Sequence, residues 1–386
     1  MNKDNVKGTY GYDVAFFQKH NISTIELKDK DSQACLLLIP GYQGRVMTSS
    51  VAGNEGASFG WINYRFIEAG KPSTQFNPFG GEERLWLGPE GGPFSIYFKQ
   101  GSEQVFANWI VPKEIDTEPF DIVEQSSEKV SFRKNFTLAN ASGTKMDIGI
   151  ERVVKLLNSP EAESALGISI DKSLAYVGYE SENTLINRGQ EAWTEKGGAL
   201  SVWMLAMFNP SPSGVVFIPF KKGSEAEAGK IVNDDYFGKV PADRLIVKDG
   251  ILFFRTDGKH RSKIGITPNR ALPFCGSYDP EKMVLTLLWY SAPENPSKYV
   301  NSKWGQQDDP FSGDAVNSYN DGPVDDGSIM GPFYEIESSS PAAMLPSGGK
   351  ITHKQRIFHI TGSEEKLSLI TEKLFGQKLA DIAKVF

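Results

Sequence analysis

Val130-Ser-Phe-Arg-Lys-Asn-Phe-Thr-Leu138 and, after a short gap, Met146-Asp-Ile-Gly-Ile-Glu-Arg-Val-Val-Lys-Leu-Leu157 decide the fold class. Apolar residues recur at every second position over much of both runs, the side-chain period of a β-strand and not of a helix. The same period returns in Leu252-Phe-Phe-Arg-Thr256, Val284-Leu-Thr-Leu-Leu-Trp-Tyr290, Phe333-Tyr-Glu-Ile-Glu337 and Ile351-Thr-His-Lys-Gln-Arg-Ile-Phe-His-Ile360. These runs are rich in β-branched and aromatic residues and are bounded by Gly, Pro, Asn and Asp. Turn pairs such as Asp249-Gly250, Asp257-Gly258 and Gly348-Gly349 punctuate them. Some thirteen strands exceed the roughly ten that an open sheet carries without curling or splitting. An all-β fold of two large packed antiparallel sheets is therefore predicted.

A helical period occurs at the end. Leu367, Ile370 and Leu374, then Leu379, Ile382 and Phe386, predict short C-terminal helices over residues 363–386, broken at Gly376. Thr361 followed by Glu364 has the form of a capping box. A further short helix is predicted over Asn158–Leu166. No repeat or linker divides the chain, so residues 1–386 are expected to form one domain.

The 386 residues carry a net charge of −7, with basic residues scattered, which argues against nucleic acid and against an anionic membrane surface as partners. The least charged apolar runs, such as Ala199–Phe208, fall short of the roughly 18 residues of a spanning helix, so no transmembrane segment is expected. Cys35 and Cys275 lie in apolar surroundings and read as buried free thiols, with one disulfide as the alternative. The opening Met1–Lys7 lacks the apolar core of a signal peptide.

The densest chemistry lies in Gly80-Gly-Glu-Glu-Arg-Leu-Trp-Leu-Gly-Pro-Glu-Gly-Gly92, with five glycines, three glutamates, an arginine and a tryptophan. Glycine lets backbone approach backbone or ligand. Carboxylates, a guanidinium and an indole beside such backbone suit a sugar, which offers hydroxyls and a C–H face. The segment is placed on a loop between strands, with Arg84 and Glu90 as polar contacts and Trp86 as a stacking ring. The alternative is a structural turn with a solvated charge cluster. No Lys-Ser or Lys-Thr and no long helical pattern follow, so it is not a phosphate loop.

Glu335 and Glu337 flank Ile336, and period two puts both carboxylates on one strand face, about 7 Å apart. They are candidates for a catalytic base with its binding partner, or for a solvated face. Asn320 and Asp321, in Asn317-Ser-Tyr-Asn-Asp-Gly-Pro323, offer groups for hydroxyls or form an Asx turn. No cofactor is called for. Calcium is a candidate near Asp321, where Asp308, Asp309, Asp314, Asp325 and Asp326 crowd, although the ordered EF-hand pattern is missing. His20, His260, His353 and His359 lack zinc-ligand spacing. His353 and His359 share a strand face and read as structural, with a general-acid role as the alternative. No Gly-x-Ser-x-Gly elbow is present. Trp61, in Phe59-Gly-Trp-Ile-Asn63, and Trp304 join Trp86 as candidate stacking rings.

The order of these segments resembles the galactose-mutarotase-like β-supersandwich. The likeness is strongest to a family of that class described as a domain of unknown function and typical of gut bacteria. It runs through Gly8-Thr-Tyr-Gly-Tyr-Asp-Val14, Ser58-Phe-Gly-Trp-Ile-Asn63, Gly80–Gly92, Val300-Asn-Ser-Lys-Trp304, Asn317–Pro323 and Gly331-Pro-Phe-Tyr-Glu-Ile-Glu-Ser-Ser-Ser-Pro-Ala342. The resemblance implies a carbohydrate ligand. Its alternatives are an aldose 1-epimerase-like or other glycan-modifying enzyme and a non-catalytic interaction protein. In aldose mutarotases a late-strand glutamate takes the anomeric proton and a histidine protonates the ring oxygen. Glu337 resembles that glutamate. The histidine has no counterpart, and Trp203 stands near its place. Loss of a general acid removes a factor of about 10²–10⁴. Members of the family commonly carry a secretion signal, which implies a periplasmic or exported location, with a cytoplasmic one as the alternative.

Overall fold

A computed structural model describes residues 6–295 and 297–386. Residues 1–5, on which part of the reading of the N-terminus rests, and residue 296 lie outside it. Among the described residues are eighteen strands in three antiparallel sheets, and six short α-helices. The smallest sheet holds β1 (Ile25–Lys28), β2 (Cys35–Ile39) and β3 (Arg45–Ser50). One large sheet runs β13 (Ser262–Ile266), β16 (Val316–Asn320), β17 (Tyr334–Ser339), β9 (Ser201–Phe208) and β4 (Arg84–Gly88). The other has ten strands. Its order is β11 (Leu245–Lys248), β12 (Ile251–Arg255), β10 (Val215–Pro219), β14 (Phe274–Asp279), β15 (Val284–Tyr290), β18 (Lys350–Thr361), β8 (Ala175–Asn187), β7 (Lys145–Leu156), β6 (Lys129–Ala139) and β5 (Asp121–Gln125). The opening pair of sequence runs is β6 and β7, joined by a tight turn and paired along their whole length.

The layers follow from alternation. Along β18, Ile357 joins the core shared with the five-stranded sheet, while Phe358 and Ile360 point the other way. That outer face is covered by α3 (Ser159–Leu166), α5 (Glu364–Phe375) and α6 (Leu379–Ala383), through Ala162, Leu367, Ile370, Leu379 and Ile382. Strands clothed on both faces read as unbroken apolar runs, as Val284–Tyr290 does. The remaining helices are α1 (Tyr10–Lys19), α2 (Tyr64–Ala69) and α4 (Glu225–Ala228). The first two pack with the small sheet through Phe17, Ile67 and Leu37. None of the helices described is long and apolar enough to cross a membrane.

Two expectations need correction. Thr361 does not cap α5, because it is still paired in the sheet with Ala175 and Val284; Ser363 accepts from Lys366 N instead. The Gly80–Gly92 segment is not a loop throughout, since Arg84–Gly88 is an edge strand paired with β9. Glycine-rich ends and burial on both faces hide its alternation. Cys35 and Cys275 are both free and buried.

Between the sheets lies an ion pair with no solvent exposure. Arg152 on β7 donates to Glu83 at 2.7 Å, to Asn183 at 2.6 Å and to the Gly44 carbonyl at 3.1 Å. The second Glu83 oxygen accepts from Ser181 and from Gln355, each at 3.0 Å. Breaking one partner strands a buried charge. Arg152→Met is expected to cost about 3–5 kcal/mol, and Glu83→Leu added to it to recover part of that loss. A urea-unfolding double-mutant cycle measures both; strictly additive losses would contradict the pairing.

Candidate functional site

The five-stranded sheet has one face in the core and one turned away. Ile264, Val316, Ile336, Ala206 and Leu85 face inward. Strand register places Glu337 beside Asn317 and Leu205, and Leu205 beside Arg84. It places Glu335 beside Tyr319, and Tyr319 beside Lys263. The outward face therefore gathers Lys263, Glu335, Glu337 and Arg84 from three strands.

These groups are paired, but incompletely. Glu337 Oε2 accepts from Lys263 Nζ at 2.8 Å and from Trp203 Nε1 at 2.9 Å. Its Oε1 is buried with no hydrogen-bond partner among the described residues, and so is Arg84 Nε. Arg84 reaches Glu335 Oε1 at 3.3 Å, and its guanidinium lies 4.0 Å from the centre of the Trp86 ring. Lys263 Nζ sits 5.2 Å from the Trp203 ring and 5.6 Å from that of Tyr236. Such contacts stabilise a cation most where water is excluded.

Burial sets the proton affinities. It pushes Glu90 up to about 7, against the pull of Lys263 and with Glu337 adding to it. It raises Glu335 too, with Arg84 opposing and Glu337 adding. Burial alone would lower Lys263, but Glu337 and Glu90 outweigh it and hold the ammonium charged. Asp314 is raised by burial, while Tyr236 and Asn233 donate to it and oppose the rise. Glu90 thus holds its proton towards neutrality within the same cluster as Lys263 and Glu337.

Two loops edge this face. Gly91 lets the loop of Lys303 and Trp304 pack on it: a Cβ there would stand 2.4 Å from the Lys303 carbonyl oxygen. Lys303 then bonds Asp235 at 3.1 Å and lies 5.7 Å from the Tyr236 ring. The Tyr236 hydroxyl accepts from Asn317 Nδ2 at 3.2 Å.

The residues singled out in the sequence divide. Glu337, Glu335 and Arg84 stand together, with Glu90 beside them. Trp86 is buried under Arg84, and Trp61 is buried against Phe333 at 4.7 Å, so neither presents an open ring. Asn320 points to the opposite side, where it accepts from Gly258 N at 2.9 Å and donates to the His260 carbonyl at 2.9 Å. Asp321 holds Tyr319 and the Gly331 amide, at 3.0 and 2.7 Å. The aspartates near it cap their own loops: Asp309 holds Phe311 N and Asp326 holds Ser328 N. No group of three or more His, Cys, Asp or Glu suited to a metal occurs among the described residues. His353 and His359 do share a face, but in the core: His353 bonds Ser338 at 2.8 Å, and His359 bonds Thr286 at 2.9 Å and Glu82 at 3.1 Å.

Sequence reasoning missed Lys263, Tyr236 and Asp314 as part of this cluster. A lone lysine in the apolar strand Ser262–Ile266 was the available signal. A cavity of about 910 Å³ opens elsewhere, lined by Phe59, Phe208, Tyr334, Thr286 and His359. Its size would admit a ligand. Its histidine, however, has both nitrogens engaged. Buried charged atoms without partners among the described residues also occur away from the five-stranded sheet, at Glu82 Oε2, Arg45 Nε, Asp116 Oδ1 and Arg244 Nε, whereas Glu337 Oε1 and Arg84 Nε lie together on its outward face.

The sequence profile of a family of unknown function (DUF6786) matches residues 8–386, and the chain belongs to that family. No curated protein matches it in sequence. It is similar in structure to the Slr1438 protein of Synechocystis sp. PCC 6803, at 12% identity and TM-score 0.49 over 89% of this chain and 96% of that one. It is also similar to a galactose mutarotase-like protein from Lactobacillus casei ATCC 334, at 10% identity and TM-score 0.47 over 87% and 100% of the two chains. A galactose mutarotase related enzyme from Lactobacillus acidophilus gives 8%, 0.48, 87% and 97%.

Glu90 yields a pH test. Its value rises from the ordinary 4.5 to about 7, so the native chain keeps a proton that the unfolded chain releases between those limits. Stability therefore falls as pH rises through that window, by about 1–2 kcal/mol after allowance for residual solvent contact. Glu90→Gln is expected to gain that amount relative to wild type at pH 8 and nothing at pH 4. Urea unfolding at both pH values checks this, and parallel pH dependences would refute it.

Proposed function

We propose that this member of a family of unknown function binds a carbohydrate on the outward face of the five-stranded sheet, with Glu337 at its centre. The observation that carries the proposal is the unpartnered Glu337 Oε1, on a side chain only 1% exposed. A buried carboxylate oxygen without a donor costs free energy that folding alone gives no reason to retain. A sugar hydroxyl supplies the donor, and the neighbouring Arg84 Nε offers a donor in return. Lys263 and Asn317 extend the polar set, while Trp203 and Trp86 form its apolar floor.

The Arg84–Glu335 pair taken alone suits a packing role, since the two charges neutralise each other. Glu337 differs because one of its oxygens is left over. A second reading, in which the bound sugar is also transformed, is favoured by the proton that Glu90 retains near neutrality. In it, Glu337 Oε1 takes a proton from a sugar hydroxyl and Glu90 returns one to another oxygen of the substrate. Each such contribution is typically worth about 10²–10⁴-fold in rate.

A monosaccharide and glycan panel followed by thermal shift and calorimetry tests binding. Wild type is expected to be stabilised by at least one sugar, and Glu337→Gln to lose about tenfold or more in affinity for it, as expected for a charged acceptor replaced by an amide. The ligand-free melting temperature of the variant separates this loss from misfolding. Equal affinity in the two proteins would remove Glu337 from the site. On a sugar that wild type converts, unchanged turnover in Glu337→Gln would sink the catalytic reading alone.

A further inference from the structure

Three aromatic side chains are exposed among the described residues: Phe106 at 64%, Phe237 at 46% and Trp304 at 36%. All three border the same sheet face. Phe106 stacks on Trp109 at 6.0 Å, and Trp109 on Trp304 at 6.2 Å. Trp109 also packs 6.3 Å from Trp86, which fixes this ramp at the β4 end of the sheet. Trp304 lies beside Glu90 at the inner edge of the ramp. At the other end, Phe237 meets Tyr319 edge-on at 5.9 Å and carries the Arg261 guanidinium at 3.9 Å. There a depression of about 260 Å³ is lined by Phe237, His260, Arg261, Pro323, Val324 and Asp325. Arg261 immediately precedes β13 and stands two residues from Lys263, so the depression adjoins the face that holds Glu337.

Exposed aromatic rings are unfavourable in water unless something covers them, and their clustering marks an interaction surface. Scattered exposure would need no explanation. Here every exposed aromatic described falls at one of two ends of one face, with the cluster of charged groups between. From β13 to β4 there are four inter-strand steps of about 4.8 Å, roughly 19 Å in all. That length exceeds a single sugar ring and accommodates several.

We infer that this face is an open groove for an extended glycan, gripped at one end by the Phe106–Trp304 ramp and at the other by Phe237 with Arg261. The inference rests on the carbohydrate reading of the Glu337 site and adds the class of ligand: a chain of several sugars rather than a monosaccharide. Aromatic faces suit the C–H faces of sugar rings, and the Arg261 guanidinium takes hydroxyl oxygens or a carboxylate on the terminal unit.

Calorimetry with glucose, galactose and mannose, beside cellohexaose, maltohexaose, β-1,4-galactohexaose and β-1,4-mannohexaose, tests it. At least one hexasaccharide is expected to bind about 10–100-fold tighter than its monosaccharide, the gain from two added stacking contacts. Phe106→Ala combined with Phe237→Ala, both at exposed positions, is expected to bring that ratio to within about threefold of one. A wild-type ratio near one, or a ratio that survives in the double variant, overturns the groove. If monosaccharide binding still depends on Glu337 in that case, the site itself stands. Absence of binding by every sugar overturns both and turns the aromatic rims into a surface for a protein partner.

Discussion

The buried pair of Glu83 and Arg152 is the constraint around which the layers are arranged. Taking two charges out of water is costly, and the cost is met only when every remaining donor and acceptor finds a partner. Here the partners come from far apart in the chain: Gly44 before β3, Asn183 and Ser181 on β8, and Gln355 on β18. One misplaced strand would leave a charge unsatisfied, so the network selects a single register among several hydrophobic packings of similar area. Its effect reaches the surface through one peptide bond. Glu83 turns inward to Arg152, and strand alternation turns Arg84 outward to Glu335. The core pair thus fixes the position of a cation on the candidate site.

Two polar networks lie on either side of the same sheet, and they are finished differently. The inner one gives Glu83 a donor for each oxygen. The outer one gives Glu337 two donors on one oxygen and none on the other. Both are buried, so the difference does not come from solvent. Low local dielectric strengthens each bond that is made and makes each one left unmade more costly. The outer network retains that cost at one oxygen, and the functional proposal rests on this asymmetry.

Much of the fold was legible in the sequence because β-strands of a two-layer protein announce themselves by period. Val130–Leu138, Val284–Tyr290 and Ile351–Ile360 all lie within observed strands. The pairing of Glu335 with Glu337 on one face followed from the same rule. Arg84–Gly88 escaped because a short edge strand covered on both sides shows no alternation, and its flanking glycines read as a turn. Val316–Asn320 escaped for a related reason: Asn and Ser in a strand look like loop residues until neighbouring strands satisfy them. Asn320 shows the limit of composition, since alternation carries it to the opposite face from Asn317. Lys263 could not be placed from its neighbours in sequence, because its partner Glu337 lies 74 residues away. Only the ladder β13–β16–β17 brings the two together.

The outward face inverts the usual distribution of side chains. Charges are buried and aromatic rings are exposed, within one patch. Either half has a structural explanation when taken alone: ion pairs occur in cores, and single apolar residues occur on surfaces. Their coincidence is harder to explain that way. Burying Glu335, Glu337, Lys263 and Arg84 requires walls, and the walls here are the loops of Trp304 and Tyr236, tied by Lys303 and Asp235. Had folding been their only task, those loops could have turned Trp304 and Phe237 into the patch and covered the charges with apolar surface. They instead hold the rings at its edges, which leaves the polar centre approachable between two apolar grips. A polyhydroxylated chain with alternating polar edges and C–H faces is the ligand whose chemistry matches that inversion.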